Sequence, residues 1–267
     1  MPSPAPKYSM AAVRERAIEL ETESMHLPLQ HAWASSPERL AIALAVTVAF
    51  AVLARAVRGV NRSGMLAGGA ACFLLYAGAG PAAFATLTAL FVLTWASTRL
   101  GYRRKLELGL AEKRDGRSAW QVLANLAVAS LSAAAFGLTG RHLWLVVVTA
   151  ALAEGATDTV ASEIGESCSR TAFLITTWKQ VPAGTDGGIT LAGTAAGAGA
   201  GLVIAATAAT ARLIRPGELW IPTIAAIAGM LFDSALGATL QRRKWLSNEA
   251  VNLLGTLVAA AVAWYSP

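Results

Sequence analysis

Residues 151–165 read Ala-Leu-Ala-Glu154-Gly-Ala-Thr-Asp158-Thr-Val-Ala-Ser-Glu163-Ile-Gly165, and residues 179–193 read Lys179-Gln-Val-Pro-Ala-Gly184-Thr185-Asp186-Gly187-Gly188-Ile-Thr-Leu-Ala-Gly193. A hydrophobic helix acquires acids, crosses a polar connection and gives way to another hydrophobic helix. On insertion scales an ionisable group at the centre of a bilayer costs about 2.5–3.5 kcal/mol, so three close together need compensation, and a bound cation supplies it most directly.

Outward from this stretch the chain stays apolar. It is 55% hydrophobic and 14% charged, with a mean hydropathy of +0.51. Uncharged runs long enough to cross a bilayer recur, so an ordinary soluble domain is excluded and an all-α polytopic transmembrane helical bundle is expected. Spans are expected at about 39–57, 64–79, 82–98, 118–139, 142–162, 187–210, 218–240 and 248–265, with Gly78-Ala-Gly80-Pro81 as the turn between the second and third. Residues 1–38 form a polar N-terminal segment without a secretory pattern, and 9–26 suit an amphipathic surface helix. The remainder, 39–267, is read as the transmembrane catalytic domain. Cys72 and Cys168 fall in a span and a loop, suggesting neither a disulfide framework nor a thiolate metal site.

Eight spans put alternate loops on opposite sides. The loops after spans one, three, five and seven carry 15 of the 22 Lys and Arg residues, with the densest run between Arg99 and Arg117. The positive-inside rule places those loops, and with them Asp186, in the cytoplasm, and both termini outside. The net charge of +6 is read first as topology; no nucleic-acid partner is expected, and the sequence leaves the oligomeric state open.

Glu154 and Asp158 share a helix stripe. Glu163 lies about 140° round from Asp158 and joins the same site only if the helix ends or distorts before it, as Gly165 would permit. Gly184-Thr185-Asp186-Gly187-Gly188 is expected to lead straight into a helix, which would make the glycine amides a phosphate cradle and Asp186 either a Mg²⁺ ligand or an N-cap. Asp233 has Gly229 and Gly237 four residues to either side on its own face, so a neighbouring helix can approach where the carboxylate points. Arg117, Gln121 and Asn125 share one stripe, and Asn248 and Asn252 another; such amides form interhelical hydrogen bonds or read a phosphate or base. Gly193, Gly197, Gly199 and Gly201 suggest close helix packing. No Gly-Lys dipeptide and no His-Glu-x-x-His occur, and His26, His31 and His142 are scattered. Acids without histidines, beside glycine turns and basic residues, point to oxygen-ligated Mg²⁺ and phosphate chemistry.

Asp158-Thr159-x-Ala-Ser162-Glu163-Ile-Gly165, Val181-Pro182-x-Gly184-Thr185-Asp186-Gly187-Gly188, Asp233-Ser234-x-Leu-Gly237-Ala-Thr239-Leu-Gln241 and Asn248 with Val251-Asn252 occur in that order, supported by Leu100-Gly101-Tyr102-Arg103-Arg104-Lys105 and by Gly116-Arg117 with Gln121 and Asn125. In these motifs the chain resembles the integral-membrane family that contains plant phytyl-phosphate kinase of the vitamin E pathway, together with bacterial, archaeal and animal relatives. Where that family's pattern has an Asn and a Trp flanking the first Asp by two positions, this chain has Ala156 and Val160.

The resemblance implies phosphoryl transfer from a nucleoside triphosphate, CTP being the expected donor, to an isoprenyl monophosphate lipid at a cell (inner) membrane. It implies Asp158, Glu163, Asp186 and Asp233 as catalytic Mg²⁺ ligands. Gly184, Thr185, Gly187 and Gly188 would meet phosphate, Arg103, Arg104, Arg117 and Lys179 would meet anionic groups, and Asn125, Asn248 and Asn252 would bind substrate or nucleotide. The rival reading is an ion-coupled transporter of an anionic, phosphorylated substrate, since intramembrane acids and glycine-broken helices build carriers too.

Overall fold

A computed structural model describes residues 36–111 and 115–266; the expected surface helix at 9–26 lies outside them. The fold is a polytopic helical bundle, 76% helical, in which six helices are long and apolar enough to cross a bilayer. In chain order these are α1 (Pro37–Ala56), α2 (Arg62–Arg99), α4 (Ala119–Thr139), α5 (Leu143–Cys168), α6 (Leu191–Thr210) and the segment Pro216–Gln241, which contains α7 (Trp220–Leu236). Two further helices occur among the described residues: α3 (Tyr102–Glu107) is short, and α8 (Asn248–Tyr265) packs among the spanning helices but carries two asparagines and a glutamate in its first turns.

The expected second and third spans are the two arms of α2. Gly80 sits between them at φ 81° and ψ −168°, backbone that only glycine adopts readily, and Pro81 follows. Gly64 and Thr98 line the same cavity, so the arms fold back on each other as the Gly-Pro signal requires. The loops accordingly gather at two ends. At one, Arg117 N–H donates to Gly59 O (3.1 Å) and Asn61 N–H to Arg117 O (3.0 Å), tying the loop after α1 to the loop before α4. At the other, His142 Nε2 lies 2.9 Å from Glu218 Oε2, and Arg39 Nη2 donates to Tyr76 O at 3.5 Å.

α5 is the central helix: 83% of its most apolar window is buried, against 17% for α1. α1 turns Ile42, Leu44, Val48, Val52 and Leu53 outward, a side chain set suited to lipid and not to water. Glycine brings α6 onto α5. A Cβ at Gly193 would lie 2.4 Å from Ala161 O, one at Gly197 2.6 Å from Thr157 O and one at Gly201 2.5 Å from Thr157 Oγ1, whereas Gly199 has open space beside it. Three of the four glycines are therefore packing glycines, and the fourth faces away.

Two expectations at 163–190 are corrected. Helix α5 neither ends nor distorts before Glu163 but runs on to Cys168. The glycine loop does not lead straight into a helix: a small antiparallel sheet intervenes, with strands β1 (Thr171–Leu174), β2 (Gln180–Pro182) and β3 (Gly188–Ile189) in the order β2-β1-β3. Its register pairs Ala172 with Val181 and Leu174 with Gly188. Ala172 and Leu174 are buried while Thr171 and Phe173 are exposed, as the two-residue period of a half-covered strand dictates. The N-cap of α6 is Thr190, whose Oγ1 accepts from Gly193 N–H at 3.0 Å, so Asp186 is not a helix cap.

Candidate active site

The acidic residues converge at the end that carries the basic loops. A polar cavity of about 240 Å³ there is lined by Asp158 and Glu163 of α5, by residues 183–190 of the glycine loop including Asp186, by Asp233 of α7, by Asn248 and Asn252 of α8, and by Arg117, Gln121 and Asn125 of α4 and its approach. Five separate segments, from Arg117 to Asn252, thus supply one site.

Each side chain has a local reason for its place. Gly116 adopts φ 88°, and a Cβ there would strike Val60 N at 2.6 Å; only glycine lets the chain lie against the α1–α2 connection and present Arg117, whose guanidinium donates to Thr159 Oγ1 at 3.4 Å. Gly187 is at φ 73°, and a Cβ there would strike Ala238 N at 2.2 Å, so the loop docks directly on the end of α7. There the helix widens into a π turn, Gly237–Gln241, of the kind frequent at functional sites. Gln241 Nε2 consequently donates to Asp186 Oδ1 at 3.0 Å. On α8, the Asn252 amide is assigned the orientation that turns its nitrogen toward acceptors; the nitrogen then donates to Asp233 Oδ2 at 3.2 Å and to Asn248 O at 2.9 Å. Asn125 Nδ2 donates to Gln121 O at 2.9 Å, leaving Oδ1 a buried acceptor without a protein partner among the described residues.

The basic residues divide. Arg117 lines the cavity, whereas Arg103, Arg104 and Lys179 do not; Lys179 sits in the exposed β1–β2 connection, its carbonyl accepting from Leu174 N–H at 2.9 Å. The cation that does reach the acids from the Arg103-Arg104-Lys105 run is Lys105. It is 1% exposed and pairs with Glu163, and its Nζ also donates to Thr98 O at 2.9 Å and Ser97 O at 3.4 Å. All three ammonium protons therefore have acceptors, the condition under which a buried charge is tolerable. Gly101, at φ 63° with Ser167 Cβ 2.6 Å from where its own Cβ would stand, sets α3 against the end of α5 and so aims Lys105. Sequence spacing alone did not single out Lys105, nor Glu166, Thr190, Thr194 and Ser234, the last four of which line the cavity. Glu154, on the stripe of Asp158, lies beneath: it packs against Gly229 and Gly255, and neither carboxylate oxygen has a hydrogen-bond partner among the described residues.

The glycine loop offers less of a cradle than its sequence suggests, because Gly188 N–H is already committed to Thr185 O at 2.8 Å. Carboxylate and amide oxygens of this kind suit a hard cation. Among the described residues no three of His, Cys, Asp and Glu close into a cage for a metal. Mg²⁺ is ordinarily held by one or two carboxylates together with waters and substrate phosphates, so the arrangement fits an ion that arrives with its phosphate ligand.

The model of the family described as Integral membrane protein DUF92 matches residues 45–260. An uncharacterized membrane protein of Synechocystis sp. is 37% identical over 71% of this chain and 76% of its own length. The chloroplastic protein VTE6 of Arabidopsis thaliana is 32% identical over 78% of this chain and 65% of its own, so the chain spans less than two thirds of that relative. An uncharacterized membrane protein of Methanocaldococcus jannaschii is 31% identical over 84% of this chain and 92% of its own. No solved structure matches the chain.

Proposed function

The chain belongs to the integral membrane family DUF92, and we propose that it is a membrane-embedded kinase that transfers a phosphoryl group from a nucleoside triphosphate, CTP by the family resemblance, to an isoprenyl monophosphate. What carries the reading is the meeting of Asp158, Asp186 and Asp233 with Arg117 in one polar cavity at the end of the bundle rich in basic loops. That end faces the cytoplasm of a cell membrane, where nucleotides are, in keeping with the bias of Lys and Arg.

An oxygen of the acceptor monophosphate forms a new bond to the γ-phosphorus as the bond from that phosphorus to the β–γ bridging oxygen breaks. The products are the isoprenyl diphosphate and a nucleoside diphosphate. Phosphoryl transfer asks a protein mostly for positioning and charge neutralisation. Arg117 holds the anionic acceptor. Asp186, fixed by Gln241, and Asp233, fixed by Asn252, keep set positions on the nucleotide side, and Asp158 faces both from α5. Mg²⁺, when bound with the nucleotide, supplies charge neutralisation of the phosphates. Glu163 has its charge met by Lys105 and is the acid least able to take part, so its role is to hold α3 on α5. A monophosphate already carries about −1.5 to −2 charge near pH 7 and brings its own nucleophilic oxygen; no general base is required, in keeping with a cavity that no histidine lines.

Asp158→Asn and Asp186→Asn each remove one charge at nearly constant volume. Purified protein given Mg-CTP and geranylgeranyl phosphate is expected to make nucleoside diphosphate, and each variant to lose that turnover while staying monodisperse. Turnover near wild type in either variant at saturating Mg²⁺ makes that residue structural. Uptake of phosphorylated substrate into vesicles without turnover makes the protein a carrier.

A further inference from the structure

Beside the acidic cavity lies a second one, about 400 Å³, between α1, the two arms of α2 and the start of α4. Its lining is graded along the bundle axis. Arg58, Arg99 and Arg117 stand at the end with the basic loops, and Phe50, Leu87 and Leu126 line it deeper in. Leu126 lies seven residues into α4 from Ala119, about 10 Å along the helix at 1.5 Å per residue, and Arg117 precedes the helix. The space is therefore amphipathic, cationic at the membrane surface and apolar within.

We propose that this cavity receives the isoprenyl chain of the acceptor, a proposal that rests on the kinase reading above. Three observations carry it. Arg117, Gln121 and Asn125 line both cavities, so a ligand whose phosphate sits at Arg117 lies at their shared wall with the apolar cavity beside it. The volume lies in the range of small-molecule sites, about 300–1,000 Å³. Finally, two of the glycines on this wall, Gly68 and Gly69, are not required by close backbone packing. A Cβ at Gly64 or Gly78 would strike backbone at 2.1 and 2.2 Å, but one at Gly68 meets nothing nearer than Val122 Cγ1 at 3.7 Å, and one at Gly69 nothing nearer than Thr47 Cγ2 at 3.7 Å. At both positions a Cβ would stand in ordinary contact, so glycine there leaves the wall bare of side chains and widens the cavity. The outer wall is α1, whose other face is lipid-suited, so the chain of a membrane-dissolved substrate has a short path in.

The test compares acceptors of two lengths, geranylgeranyl phosphate and dimethylallyl phosphate, on the full chain in detergent with Mg-CTP. Gly68→Leu fills the space near Val122, and the ratio of kcat/KM for the long acceptor to that for the short one is expected to fall by about tenfold or more, the scale of a few misplaced methylenes in an apolar pocket. Gly199→Ala, on α6 away from both cavities with open space beside it, is expected to keep the wild-type ratio. In parallel, a geranylgeranyl phosphate carrying a diazirine at the chain end is photolysed with the protein, and its adducts are expected on α1 and α2 around Phe50 and Leu87, competed by unlabelled geranylgeranyl phosphate. An unchanged ratio in Gly68→Leu, adducts only elsewhere, or competition by phospholipid alone overturns the proposal. Absence of turnover in the wild type refutes the kinase reading instead, and the photolabelling still reports whether the prenyl chain occupies this cavity.

Discussion

Replacing Lys105 by Met removes the cation that closes α3 against α5. Lys105 is 1% exposed, and the Glu163 side chain is 11% exposed. Deleting one partner of such a pair leaves an uncompensated buried charge and costs about 3–5 kcal/mol. The carbonyls of Ser97 and Thr98 lose a donor as well. A chain of this size shifts its melting temperature by roughly 2–4 °C per kcal/mol, so Lys105→Met is expected to melt about 6–20 °C below wild type in the same detergent. The double variant Lys105→Met, Glu163→Gln removes the stranded charge as well, and is expected to recover a large part of the loss. The assay is a fluorescence-detected thermal melt followed by size exclusion. A melting temperature within about 2 °C of wild type for Lys105→Met, or a double variant no better than the single one, refutes the argument that this pair holds the site together.

Gly197→Val, whose Cβ would stand 2.6 Å from Thr157 O, is expected to push α6 off α5 and cost about 1–3 kcal/mol of stability, while Gly199→Ala, with open space beside it, is expected to be neutral or stabilising by a few tenths to about 1 kcal/mol; the same melt reads both. For topology, cysteines introduced at Ala183 and Ser266 are expected to label from opposite sides of the membrane, with Ala183 reached from the cytoplasm; labelling of both from one side contradicts three crossings between them, by α6, α7 and α8, and with them the eight-span arrangement.

The spanning helices were legible because length and apolarity alone specify them, and Gly80-Pro81 announced the reversal inside α2 because few other pairs turn a helix so tightly. That Asp158 and Asp233 face the interior was legible from what acids cost in an apolar chain; that they share a site with Asp186 was implied by the family resemblance. The sheet was not: its strands have four, three and two residues, too short for a period to show. Missing it made Gly188 look like the start of a helix, when its amide closes a turn on Thr185. Lys105 was hidden for another reason. In sequence it is the third of three adjacent cations and looks like the other two; only the positive φ of Gly101 and the packing of α3 on Ser167 decide that it, and not Arg103 or Arg104, turns inward.

The central claim is phosphoryl transfer to a phosphate, and the most direct measurement offers the purified protein γ-labelled CTP and Mg²⁺ with geranylgeranyl phosphate in one arm and geranylgeraniol in the other. The account predicts labelled geranylgeranyl diphosphate in the first arm and no labelled lipid in the second, since an alcohol needs a positioned base that the cavity does not set aside. Labelled monophosphate from the alcohol, with the phosphate left untouched, contradicts it and requires Glu154, Asp158 or Glu163 to act as that base.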